Sequence, residues 1–163
     1  LADDEQQAAG RGVLSVHLYA DGAHAESLSI PGGGSLYPTS AETLADGKHF
    51  IHMNGKVIFT HAVRNLSSAC QAAMSSQGLQ ASDIDLVVAH QANLRILESV
   101  AQRLNLPMEK FFINIDRYGN TSSASVPIAL DEVVRSGRVK KGDRLLFCAL
   151  GAGLAWGAAC VRW

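Results

Sequence analysis

Residues 84–89, Ile-Asp-Leu-Val-Val-Ala, carry no polar side chain after Asp85, and a helical pattern begins within a few residues of their end. A short apolar run of that kind has no solvated face. It reads as a strand covered on both sides, and packed helices are what usually provide such cover. Leu94, Leu97, Ala101 and Leu104 recur at helical spacing over 92–105, and Pro107 ends that helix. The alternation then repeats. FFINI at 111–115 is a second apolar strand, and TSSASVPIALDEVV becomes helical until Gly137. The first half of this helix carries no charge, so it is expected to be enclosed on all sides.

The flanking segments extend the pattern. Gly12 to Ala20 (GVLSVHLYA) alternates, and Ala25–Ile30 follows across Asp21-Gly22, which predicts a hairpin. PGGGSLYPTS at 31–40 is a loop, with its three glycines and two prolines. Val57, Ile58, Ala62, Leu66, Ala69 and Ala73 place a helix over 54–76, with Gly78 as its stop. RLLFCAL at 144–150 and LAWGAACVRW at 154–163 are separated only by Gly151-Ala152-Gly153, so they predict an antiparallel pair. The expected fold is therefore α/β: one domain over 1–163, a mixed and mostly parallel sheet, helices on both faces.

Charge and composition exclude several classes of function. Formal net charge is −1, giving no electrostatic case for nucleic acid or an anionic membrane. No apolar run reaches the length of a spanning helix. Hydrophobic residues at 47% against 18% charged indicate a folded chain rather than a disordered one. Cys70, Cys148 and Cys160 are odd in number and widely spaced, which speaks against a disulfide framework and for a reducing cytoplasm. The opening LADDEQQAAG has no initiator Met and no signal-peptide pattern, so the chain is expected to be part of a longer protein. There is no phosphate-binding loop and no nucleophile elbow, and Gly151-Ala-Gly153 precedes a strand rather than the helix a dinucleotide fingerprint needs. His49 and His52 lack companions at ligand spacing, so no metal site is expected.

Two polar residues stand where chemistry is expected. His90 directly follows the strand at 84–89, and Asn120 lies in the turn DRYGNTS between the strand at 111–115 and the next helix. If both strands are parallel, both residues sit at carboxyl ends on one sheet edge, where open α/β sheets bind ligands. A neutral imidazole N–H and a carboxamide NH₂ are two donors able to stabilise an oxygen that gains negative charge. Plainer roles stay open: Asn120 as a helix cap and His90 as a satisfied strand-end histidine.

HQANLRI at 90–96 and DRYGNTSSASVPIALDE at 116–132 resemble the two motifs of the β-ketoacyl-[acyl-carrier-protein] synthase III family, in order and at the right separation. GAGLAWGAACVRW, MNGKVIF at 53–59 and VLSVHLYADG at 13–22 resemble further segments of that family's carboxy-terminal half. The resemblance implies a thiolase-like fold, in which two similar α/β halves pack into five layers. It assigns the catalytic roles to His90 and Asn120 and a supporting one to Asn93. It places the backbone of Gly151, Ala152 and Gly153 at a second oxyanion hole, although the family usually has glycine where Ala152 stands. Gly55 and Lys56 match positions near the coenzyme A arm, with Lys56 departing from the common Asn. Arg95, with Arg103 two turns along the same helix, matches a carrier-protein contact; Thr60 replaces a residue that is often basic in relatives. The cluster Arg135, Arg138, Lys140, Lys141 and Arg144 reads as a solvated helix end and turn.

The family's nucleophilic cysteine is missing. Cys70 falls mid-helix, and Cys148 and Cys160 fall within strands, whereas a reactive thiolate is favoured at a helix amino terminus. The resemblance thus implies a homodimeric acyltransferase, complete only with its amino-terminal half. It would condense an acyl-CoA with malonyl-[acyl-carrier-protein], with coenzyme A thioesters as substrates and no resident cofactor. The rival expectations are a polyketide- or quinolone-type synthase or acyltransferase on the same scaffold, and a non-catalytic half-module that binds a partner chain.

Overall fold

A computed structural model of the chain describes residues 10–163. Its elements are β1 (Gly12–Ala20), β2 (Leu28–Ser29), α1 (Ala41–Ala45), β3 (His52–Met53), α2 (Gly55–Ser75), β4 (Leu86–Ala89), α3 (Leu94–Leu104), α4 (Ile115–Tyr118), α5 (Ser125–Arg135), β5 (Arg144–Gly151) and β6 (Ala155–Arg162). The main sheet has the order β1-β6-β5-β4. β4 pairs parallel with β5 from Leu86↔Leu145 to Ala89↔Cys148, while β6 pairs antiparallel with both β5 and β1. An isolated parallel bridge, Val87↔Phe111, continues the sheet beyond β4. The sheet is mixed, and among its strands β6 is the one that runs against the others.

All four residues of β4 are buried, because each face of the strand meets a different core. Val87 and Ala89 point into a cluster with Leu146, Cys148, Ala158 and Cys160 beneath α2 and α3. Leu86 and Val88 point the other way, to Phe112, Leu145 and, from α5, Ala129 and Val133. Helices therefore cover both faces, as an apolar strand of period two requires. The cover is incomplete over β1, where Val16 is 54% and Leu18 77% exposed.

Three expectations are corrected. The hairpin between 12–20 and 25–30 does not form. Asp21 accepts a hydrogen bond from Ala23 N–H at 3.0 Å and starts a 3₁₀ turn over Gly22–Ser27. Its backbone exchanges two hydrogen bonds with Leu154, so β1 pairs with β6, and Leu28–Ser29 pairs with His52–Met53 instead. The segment 111–115 is not a full strand. After Phe112 N–H bonds the Val87 carbonyl, the Gln91 side chain takes over the ladder: its Nε2 donates to the Phe112 carbonyl at 3.1 Å, and its Oε1 accepts from Asn114 N–H at 3.2 Å. A side chain cannot carry a ladder onward, and the backbone turns into α4. Nor is the charge-free stretch 121–130 enclosed on all sides, since Ser125 and Ala129 are its buried residues and Pro127 is exposed. One face of α5 packs on the sheet, and among the described residues nothing covers the other.

Candidate active site

His90 is the first residue past β4. Its N–H donates to the Cys148 carbonyl at 2.8 Å, which extends the parallel β4–β5 ladder by one residue and fixes where the side chain leaves the sheet. The ring is half-buried, with Nδ1 2.5 Å from Ser125 Oγ. Burial pushes its pKa below the ordinary 6.5, so the imidazole is neutral at pH 7. Ser125 Oγ also accepts from Gln91 N–H at 3.3 Å and lies 2.9 Å from the Ser122 carbonyl oxygen.

Asn120 is exposed on the loop between α4 and α5. Its Oδ1 accepts from Ser122 N–H at 2.9 Å, an Asx turn that leaves the carboxamide Nδ2 to donate elsewhere. It does not cap α5, whose cap position is Ala124. His90 and Asn120 are thus joined through Ser125, which opens α5, and Ser122, which belongs to the turn that Asn120 organises. The loop is held down by Glu132 on α5. Asn114 Nδ2 donates to Glu132 Oε2 at 2.7 Å, Tyr118 Oη donates to Oε1 at 2.7 Å, and Arg117 makes two bonds of 2.8 and 2.9 Å. These donors, Asn114 first, keep the Glu132 carboxyl below its usual range, and the bond from Tyr118 to Glu132 raises the Tyr118 phenol.

The glycine turn ends β5. Because β4 and β5 are parallel, Gly151–Gly153 and His90 lie at the same edge of the sheet. Gly153 has φ +135°, a conformation that favours glycine there, while Ala152 occupies the middle of an exposed turn. Asn93 caps α3, its Oδ1 accepting from Arg95 N–H at 2.9 Å, so its side-chain oxygen is engaged by the helix start.

The remaining expected residues lie along the paired helices α2 and α3. Arg95 stands 5.9 Å from the centroid of the Phe59 ring, and Arg103 lines a groove of about 330 Å³ with Arg64, Ser67, Ser68 and Gln71. Early residues of α2 thus meet early residues of α3, and later meet later, so the two helices run in the same direction. Both begin at the edge that holds His90, with Gly55 and Lys56 exposed in the first turn of α2. Arg103 lies eight residues beyond Arg95, about 12 Å along the axis, and so away from that edge. Thr60 Oγ1 donates to the Lys56 carbonyl at 3.0 Å.

Cys70, Cys148 and Cys160 are 0%, 3% and 0% exposed. A bond to Cys148 and burial both raise the Cys70 thiol, and burial raises Cys160, so these two are poor nucleophiles. Among the described residues no group of three His, Cys, Asp or Glu side chains is placed to hold a metal.

Sequence reasoning overlooked Ser125, Gln91, Glu132 and Arg64. Gln91 follows His90 directly, and its position at the end of an apolar strand was the available signal. Ser125 carried none: it is one of three serines in a small-residue stretch, and only the packing of α5 on β4 selects it.

Residues 74–163 match the family described as 3-oxoacyl-[acyl-carrier-protein (ACP)] synthase III C terminal. Over 154 residues the chain is 51% identical to a β-ketoacyl-[acyl-carrier-protein] synthase III from Symbiobacterium thermophilum, covering 94% of this chain and 47% of the relative. A protein of the same name from Roseiflexus sp. is 49% identical over 152 residues, covering 93% and 46%. The crystal structure of 3-oxoacyl-[acyl-carrier-protein] synthase III from Aquifex aeolicus superposes with a TM-score of 0.84 at 37% identity, covering 100% of this chain and 46% of that one. The chain spans about half the length of the relatives it matches. The family match runs through His90, Asn120 and the glycine turn and takes in more than half of the residues. By that measure this chain belongs to the carboxy-terminal family of 3-oxoacyl-[acyl-carrier-protein] synthase III.

Proposed function

We propose that this chain supplies the decarboxylation half of a condensing enzyme that joins an acyl-CoA to malonyl-[acyl-carrier-protein] and so begins a fatty-acid chain. The observation that carries this reading is the neutral, half-buried imidazole of His90, linked through Ser125 and Ser122 to the carboxamide of Asn120 at one sheet edge.

When the malonyl thioester loses CO₂, the bonding pair of the broken C–C bond moves into an enolate. Its oxygen takes hydrogen bonds from His90 Nε2–H and Asn120 Nδ2–H. The enolate carbon then attacks an acyl thioester, expels the thiolate and gives a 3-oxoacyl product. That acyl group is carried by a cysteine outside this chain, because Cys70, Cys148 and Cys160 are buried. Backbone N–H groups of the Gly151–Gly153 turn would stabilise the second oxyanion. Gly55 and Lys56 would lie along the coenzyme A arm, and Arg95 and Arg103 would meet an acidic carrier protein. No resident cofactor is needed. The complete enzyme would be a homodimer working in the cytoplasm, where unpaired cysteines stay reduced. The described residues contain no helix long and apolar enough to cross a membrane.

Substituting His90→Ala or Asn120→Ala in the full-length synthase should lower condensation by about 10²–10³-fold each, the usual cost of losing one oxyanion donor. Acyl loading of the cysteine should persist in both. Condensation at the parental rate in either variant would remove that residue from the mechanism.

A further inference from the structure

Ser125 is 2% exposed and opens α5, with three partners around one hydroxyl. Gln91 N–H donates to Oγ at 3.3 Å, the Ser122 carbonyl oxygen lies 2.9 Å away, and His90 Nδ1 lies 2.5 Å away. A hydroxyl has one proton, so it serves either the carbonyl or the imidazole. The carbonyl does not depend on it, because the Ser125 backbone N–H already donates to Ser122 O at the end of the 122–124 turn. Nδ1 does: Ser125 is the partner the structure gives it. The Gln91 N–H pulling on Oγ also makes the hydroxyl a better donor.

We propose that Ser125 is the positioning residue of this site: its hydroxyl donates to His90 Nδ1 and holds the imidazole in the tautomer that carries its proton on Nε2. This rests on His90 acting as a donor to an enolate oxygen. A neutral imidazole has one N–H, so the opposite tautomer, with the proton on Nδ1 and shared with Ser125, would turn a lone pair toward that oxygen and repel it. A catalytic imidazole held in the wrong tautomer loses up to about 10⁴-fold in turnover. Removing the hydroxyl leaves the tautomer uncommitted; partners that orient a metal-bound imidazole contribute about 10–100-fold, and the same scale is expected for Ser125.

The test uses the full-length synthase with ¹⁵N-labelled histidine, the His90 signals being assigned from a His90→Asn variant. Nε2 should carry the proton in the parent and in Ser125→Thr, while Ser125→Ala should show exchange between the two tautomers. In steady-state decarboxylation of malonyl carrier protein, Ser125→Ala should lose about 10–100-fold in kcat with little change in KM. Ser125→Thr should recover most of that loss, and acyl loading should be unchanged in both, which controls for folding. A parent protein with the proton on Nδ1 overturns the assignment, as does a Ser125→Ala loss of turnover below about 10-fold. His90→Ala separates the two readings. If it abolishes decarboxylation while Ser125→Ala does not impair it, only the role of Ser125 falls; if His90→Ala is itself active, the donor reading of His90 falls first.

Discussion

Glu132 shows how one carboxylate sets the position of a loop it does not belong to. Asn114, Tyr118 and Arg117 all bring donors to it, and those bonds keep its folded pKa below the usual 4.5. Its contribution to stability is therefore complete above 4.5 and is lost as pH falls through the lower, folded value. Glu132→Gln should flatten the fall of Tm on acidification in that window, as measured by thermal melts along a pH series. The same variant should loosen the segment that carries Asn120, raising amide exchange over 114–120. An unchanged acid profile would mean that the carboxylate is not what anchors the loop. The placement of His90 and Asn120 near one sheet edge was legible in the sequence, because each follows an apolar run and precedes a helix, while their roles come from the resemblance alone. Glu132 and Ser125 were not, because their partners lie 18 and 35 residues away and only the docking of α5 selects them.

Gln91 governs how elements join. It is 1% exposed and takes the place of a strand partner beside β4, bonding Ala89 O, Phe112 O and Asn114 N–H. Gln91→Leu keeps the volume and strands all three backbone groups in an apolar setting. Each orphaned group costs about 1–3 kcal/mol, so the variant should lose at least about 3 kcal/mol in urea denaturation. A loss below about 1 kcal/mol would show that water reaches the junction and replaces the amide. The helices over 54–76 and 92–105 and the closing pair of strands were readable from periodicity, since each buries a face of its own. The hairpin at 12–30 misled for a physical reason. Asp-Gly is a turn signal in either structure, but Asp21 used its side chain to start a 3₁₀ turn, and the stronger pairing for β1 lay in β6, from Gly12↔Arg162 to Ala20↔Ala155. Local pattern does not rank a distant partner against a near one.

Over the whole molecule, apolar side chains stay uncovered where the two cores do not reach. Val16 and Leu18 on β1 join Leu36 (80%), Ile51 (69%), Phe50 (64%) and Met53 (64%) as exposed residues. Exposed groups of this kind mark contact surfaces, in keeping with a chain that spans half the length of its relatives. The purified chain should bind 1-anilinonaphthalene-8-sulfonate and self-associate with rising concentration. Leu18→Lys should reduce both, measured by fluorescence and by sedimentation. A parent chain that stays monomeric and dark with the dye would argue against a contact surface on β1. The α/β class, the two-sided helical cover and the reversed final strand were legible at this scale. The open face of α5 was not, because the absence of charge says that a stretch is apolar without saying what lies against it.

The shared direction of α2 and α3, and the start of α5 beside His90, have an electrostatic consequence. Three helices turn their amino-terminal ends toward one rim, and each end is equivalent to about half a positive charge. That potential comes from aligned peptide bonds rather than from ionised side chains. Changing the pH would not discharge it, and an anion forming at the rim would meet an attraction already in place.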